Sequence, residues 1–195
     1  MLKKLVRLVI VLGGFCAFPG CAGNLPSSEY RVWQEEVKLN DGRVIVVTQK
    51  KRCQGAYTGG NYARCIAREA WLMINLPEFG AQPIVWHENL TPRILNVHNG
   101  HLYVVGWPPT GYEFDLYGKP RPPYIGFVFV DKQWKRIAFE EIPVAIYDVN
   151  MLIESIPPED MKFLTLQKKE SKEMNGDSAY QKDQKRIDPA YKSNF

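Results

Sequence analysis

The chain has 195 residues, of which 45% are apolar, 24% charged and 12% aromatic. That balance excludes collagen-like, wholly disordered and polytopic membrane classes, and the length suits one well-buried domain better than two. The formal charge of +4 comes from the amino terminus: without Lys3, Lys4 and Arg7 there are 22 basic against 21 acidic side chains, so charge gives no case for binding nucleic acid.

Those three cations open residues 1–20, followed by an apolar stretch, Leu5 to Leu12, and then small and turn-forming residues. About ten apolar residues are too few to span a bilayer of roughly 30 Å, so this segment reads as a signal peptide. Gly20 before Cys21 resembles the lipobox of bacterial lipoproteins, in which the cysteine is diacylated and becomes the first residue. Lipidation is therefore expected at Cys21, with residues 21–29 as a tether and the membrane as a partner through the lipid. An ordinary secretory signal cut near the same point is the alternative. Ala22 offers no acidic retention signal, which points to the outer membrane, facing the periplasm.

From Arg31 to Leu39 the odd positions Trp33, Val37 and Leu39 are apolar while Gln34, Glu36 and Lys38 are polar, a strand period. Asn40-Asp41-Gly42 is a turn, and the β-branched run Val44 to Thr48 completes a hairpin. Cys53 and Cys65 follow, the only cysteines left once Cys16 leaves with the signal and Cys21 carries lipid. An even pair in an oxidising compartment predicts a disulfide, and closing the glycine-rich loop between them stabilises by about 3 kcal/mol. Zinc is the rival, but neither has a second cysteine or a histidine at ligand spacing.

Trp71 to Leu76 reads as a strand ended by Pro77, with a short helix over Ala67 to Ala70 as the alternative; Ile84 to Trp86 is a further short strand. Ile94 to Val97 and Leu102 to Val105 flank His98-Asn99-Gly100-His101, a second hairpin. A third pairs Tyr124–Val130 with Trp134–Phe139. Between them, prolines 108, 109, 120, 122 and 123 exclude a strand and predict an ordered surface loop. Val149 to Ile156 reads as a late helix ended by Pro157-Pro158.

These elements predict a mainly β domain over residues 30–166, an antiparallel meander (sandwich, small barrel or propeller-like blades) with a short C-terminal helix. Residues 167–195 are charged and poor in large aliphatics, which predicts a largely disordered tail. The segments Trp33–Val47, Leu102–Gly106 and Pro122–Tyr124 resemble lipoproteins of Gram-negative bacteria for which no activity is established, over about residues 30–155. The resemblance supplies no catalytic residues.

Chemistry must then come from single residues. His98 and His101 could share a hairpin face and, with His87-Glu88, hold a metal, but polar residues at a hairpin tip are commonly just solvated. Glu113 with Asp115, or Glu140 with Glu141, could be arranged as a glycosidase pair. Adjacent strand residues point to opposite faces, which excludes Glu140 with Glu141. No nucleophile elbow, zinc-protease or phosphate-loop motif is present, so no metal or cofactor is expected. Trp107, Tyr112, Phe114, Tyr117 and Tyr124 crowd around the proline-rich loop, either as a binding platform or as the lid of the core. The expected function is a non-catalytic lipoprotein binding an envelope protein or glycan. The alternatives are a cell-wall hydrolase with an unrecognised site, and a periplasmic inhibitor or immunity protein.

Overall fold

The computed structural model describes residues 28–58, 61–152, 156–158, 160–171 and 185–191. Residues 1–20 and Cys21 lie outside them. The alternation in the first strand is realised as β1 (Ser28–Lys38), with Trp33, Glu35 and Val37 buried and the even positions turned outward. Asp41 and Gly42 close the turn, Gly42 at a φ of +87°, and β2 (Val44–Thr58) runs back antiparallel to β1. β3 (Asn61–Ile74) pairs with β2, so the segment between the two cysteines is the end of a long hairpin and not a separate loop. Ala67 to Ala70 is strand. β4 (Ile84–Glu88) completes the run.

The second sheet is built from β5 (Thr91–His98), β6 (His101–Trp107), β7 (Ile125–Val130) and β8 (Gln133–Ile137), all antiparallel. Asn99 and Gly100 both take positive φ, the two-residue turn that Asn-Gly favours. The second sheet keeps the order β5-β6-β7-β8, and the first runs β4-β3-β2-β1-β9, where β9 (Phe163–Leu164) joins β1 in parallel. The fold is therefore mainly β, two packed sheets with no closed barrel.

Two short helices are described. α1 (Gly111–Leu116) lies inside the proline-rich connection, where Thr110 caps it by accepting from Tyr112 N. α2 (Leu166–Glu170) is capped by Thr165. The helix expected over Val149–Ile156 is absent from the described part of that range: residues 149–152 are irregular, and residues 153–155 lie outside the described residues. The reason is local. Asn150 spends its side chain on backbone, accepting from Leu95 N at 3.0 Å and donating to Leu95 O at 2.7 Å and Lys38 O at 2.9 Å. It thereby completes the outer edge of β5 and ties it to β1.

The sheets face each other across one core. Val37, Val47, Leu72 and Trp86 from the first meet Leu95, Leu102, Val104 and Phe127 from the second. The second sheet is also covered on its other side, where Ile94, Val105, Tyr124, Ile142 and Tyr147 form a separate cluster. Ile187 belongs to that cluster and is only 2% exposed. The tail expected to be disordered from residue 167 is thus docked over residues 185–191. Its sparse apolar content averages over many positions, whereas docking needs one anchor and a groove to receive it.

Gly126 on β7 shows how close this third layer comes: a Cβ there would lie 2.7 Å from Ile142 Cγ1 and 2.8 Å from Ile137 Cγ1. Both are branch atoms near the backbone and cannot swing clear. Gly126→Ala should lower the unfolding free energy by about 1–3 kcal/mol, the cost of overpacking, measured by urea denaturation. An unchanged midpoint would show that the layer is loosely held.

Candidate functional site

The first sheet has a buried face and an open one. Because side chains alternate, the outward set on β1 to β4 includes Tyr30, Val32, Glu36, Lys38, Val44, Val46, Lys50, Arg52, Glu69, Trp71, Met73, Val85 and His87. Register places Val32, Lys50, Trp71 and His87 in one row across four strands. His87 stacks on Trp71 with centroids 4.3 Å apart and planes at 11°, and Tyr30 tilts toward Trp71 at 6.1 Å. The Lys50 ammonium sits 4.4 Å from the Tyr30 centroid and 5.0 Å from that of Trp71. Glu69 binds Arg52 and, at 3.0 Å, His87 Nε2. Burial works to raise its pKa, but the bonds from His87 and Arg52 outweigh it and hold the carboxyl below the usual range.

Among the described residues ten large hydrophobics are exposed, and six belong to this face: Tyr30, Val32, Val44, Val46, Val85 and, on adjoining β9, Phe163. Such a concentration is what an interaction surface looks like on an otherwise polar exterior. The sequence held a sign of it. Val44-Ile45-Val46-Val47 is apolar on both faces, and only one face can point into a two-sheet core.

The five aromatics of the expected platform do not form one surface. Phe114 is buried in α1, and Tyr112, 68% exposed, stands alone with Arg68 5.9 Å from its ring. Tyr117 donates to Glu88 at 2.6 Å and accepts from Asn89 N at 3.0 Å; burial first, then Glu88, raises its pKa. Trp107 and Tyr124 meet edge-on at 5.1 Å on the far side of the second sheet. There Tyr191 covers Trp107 at 5.3 Å, and the Tyr124 hydroxyl accepts from Asp188 N at 3.5 Å.

Other candidates are engaged structurally. Glu113 is fully buried, paired with Arg68 at 2.9 Å and bonded by the Thr110 hydroxyl. Arg68 reaches it because a bulge opposite Arg52 and Cys53 leaves Arg68 out of the ladder. Glu113 and Asp115 are two apart on a helix, not a strand, so they diverge; Asp115 pairs with Lys119 on the surface. Glu140 and Glu141 are exposed in a 3-10 turn, where Glu141 accepts from Ala138 N. His98 and His101 do pair across their turn, but His87 lies in the other sheet. Among the described residues no group of three or more His, Cys, Asp and Glu could hold a metal, and no helix is long and apolar enough to cross a membrane. Cys53 is fully buried on β2 opposite Ala67; the side chain of Cys65 lies outside the described residues.

A buried ionic cluster escaped the sequence altogether. The Glu35 carboxylate is fully buried and accepts from Gln49 Nε2 at 3.0 Å, Leu152 N at 3.4 Å and Trp33 Nε1 at 3.5 Å. Lys51 is buried two positions beyond Gln49, its ammonium 5.6 Å from the Trp33 ring. Burial, helped by Arg93 and opposed by Glu35, lowers the Lys51 pKa to about 7. Lys169 on α2 donates to Asn150 O at 2.7 Å, and its pKa is also lowered by burial.

The Lys51 shift has a defined consequence for stability. Between pH 7 and the ordinary lysine value of 10.5 the unfolded chain holds a proton that the folded chain has released, so stability rises with pH across that window. Below pH 7 the cost of burying the cation is fully present. In Lys51→Met that rise of stability between pH 7 and pH 10 should be absent, so the two proteins differ in the pH dependence of their urea midpoints. The same slope with pH in both proteins in parallel urea titrations would refute the assignment.

Comparison with known proteins finds no protein-family model, no curated protein and no solved structure that matches the chain.

Proposed function

We propose that this chain is a non-catalytic lipoprotein of the cell envelope, anchored through Cys21, that binds a partner protein on the open face of its first sheet. The observation that carries the reading is the gathering of six exposed hydrophobics on that one face. Two details favour a protein over a glycan. β2 and β4 flank β3 from opposite sides, so Lys50 and His87 cover the Trp71 ring, leaving an edge and not a stacking face for a sugar. The apolar residues also extend from Val85 on β4 at one edge of the sheet to Phe163 on β9 at the other, a wider area than one sugar ring covers. The charges define the partner further. Glu69 is held by Arg52 and His87, and Glu36 accepts from Leu166 N at 2.9 Å, while Lys50 lies over two aromatic rings. The matching surface is apolar with a carboxylate at its centre.

A photo-cross-linker at Val85 of the lipidated chain should capture one protein in cells, and the same group at Lys132 should not. Val46→Glu and Lys50→Glu should each lower recovery more than tenfold without moving the melting temperature, the behaviour of interface hot spots. Full recovery with both variants would exclude this face. In the same cells Cys21→Ser should lose incorporation of a fatty-acid analogue; retained label would exclude the anchor.

A Cys53–Cys65 disulfide belongs to the same proposal, since the envelope is oxidising and both residues lie on the β2–β3 hairpin. Non-reducing mass spectrometry of protein taken from the envelope should show the two peptides linked. Free thiols at both positions would refute the bond.

A further inference from the structure

Beyond the second sheet lies a groove already filled by a peptide: the chain's own residues 185–191. Two backbone bonds seat it in the manner of an added strand, Ile187 N to Tyr147 O at 2.9 Å and Val149 N to Lys185 O at 2.8 Å. Ile187 enters the apolar cluster of Ile94, Val105, Ile142, Ile146 and Tyr147. Arg186 lies over the Tyr147 ring at 5.6 Å, binds Asp148 and donates to Val144 O at 3.0 Å. Asp188 accepts from Ala190 N at 2.8 Å in a turn that brings Tyr191 edge-on to Trp107. Backbone pairing supplies affinity, and pockets for particular side chains supply specificity, which is how extended peptides are recognised on sheet proteins.

We propose that this groove is a peptide-recognition site, distinct from the open face of the first sheet, and that its resident segment displays what it selects. That pattern is a basic residue, a β-branched aliphatic directly after it, and an aromatic four positions further on. A partner segment of this chemistry takes the groove by displacing residues 185–191. Three features support exchange. The resident segment contributes a single deeply buried side chain, Ile187; Tyr191 stays 40% exposed. The core shared by the two sheets contains no residue of it. In sequence it is separated from Ser171 by thirteen residues, so its advantage over a competitor of equal affinity is that of a ligand carried on the same chain. A partner segment displaces it where its concentration, divided by its dissociation constant, exceeds the effective concentration of the resident segment divided by the resident's own.

The test uses the full chain and a labelled peptide of residues 185–191, Lys-Arg-Ile-Asp-Pro-Ala-Tyr. Ile187→Asp removes the resident anchor and leaves the groove intact. Fluorescence polarisation should show the peptide binding this variant at least tenfold more tightly than the parent. A peptide carrying Asp in place of Ile should bind neither. Tyr191→Ala, a change at a half-exposed ring, should give a smaller gain in the same direction. Val46→Glu on the other sheet should leave peptide binding unchanged, so failure of the partner-face reading and failure of this one are separable. If both tail variants keep the β-type circular dichroism and bind the peptide no better than the parent, the proposal is overturned. It is equally overturned if Ile187→Asp loses the β signal, because the segment is then core and not ligand.

Discussion

The buried carboxylate of Glu35 is the constraint around which one end of the molecule is organised. A charge withdrawn from water is tolerated only where donors replace its hydration. Here they come from the neighbouring strand (Gln49), from its own strand (Trp33) and from the returning chain (Leu152 N). The third donor matters most for the fold. It fixes the irregular segment after Asn150 against β1, and from there Leu164 and Trp33 pack in one small cluster with Leu152. β9 then joins β1 at Gln34 and Glu35, and α2 follows at once. The ionic contacts hold the carboxy-terminal third in register where apolar packing alone is thin.

The same alternation explains why the two sheets differ. The second sheet is apolar on both sides at Ile94 and Leu95, and at Val104 and Val105, and both sides are covered. The inward side meets the first sheet; the outward side receives the 3-10 turns around Ile142 and Ile146 and the segment at Ile187. The first sheet is apolar on both sides at Val44 to Val47, Trp71 to Ile74 and Ile84 to Trp86, but its outer side mixes these with Lys50, Arg52 and Glu69. A face of that composition is soluble and still apolar enough to dock.

Most strands were legible because period-two patterning and turn chemistry are local. The Asn99-Gly100 turn is set by residues that accept positive φ, and Trp33, Val37 and Leu39 mark their own face. What the sequence hid depends on pairs far apart. The length of β2 and β3 beyond Thr48 could not be read from Gln49, Lys50, Lys51 and Arg52, which look like a charged loop. Lys51 is buried there because the chain near Leu152 and Met161 closes over that end of the sheet. α1 was masked by prolines on both sides, although Thr110 before Gly111 is an ordinary cap. The aromatic cluster was legible as a group but not as two groups, because α1 carries Tyr112, Phe114 and Tyr117 away from Trp107 and Tyr124. The docking of Ile187 was invisible for a different reason: composition reports an average, and one buried isoleucine is enough to seat a short strand.

An uncovered apolar sheet face is ordinarily a hazard, since flat apolar strands invite copies of the same chain. Among the described residues the outward side carries Lys38, Lys50 and Arg52 against Glu36 and Glu69, an excess of one cation. A symmetric pairing of two copies sets like patch against like patch and gives that excess no counter-charge. Its internal acids offer little relief, because Glu69 is held by Arg52 and His87 and Glu36 by Leu166 N. Self-association thus meets an electrostatic cost that a carboxylate-bearing partner does not. The charges that keep the face soluble are the ones that choose what may cover it.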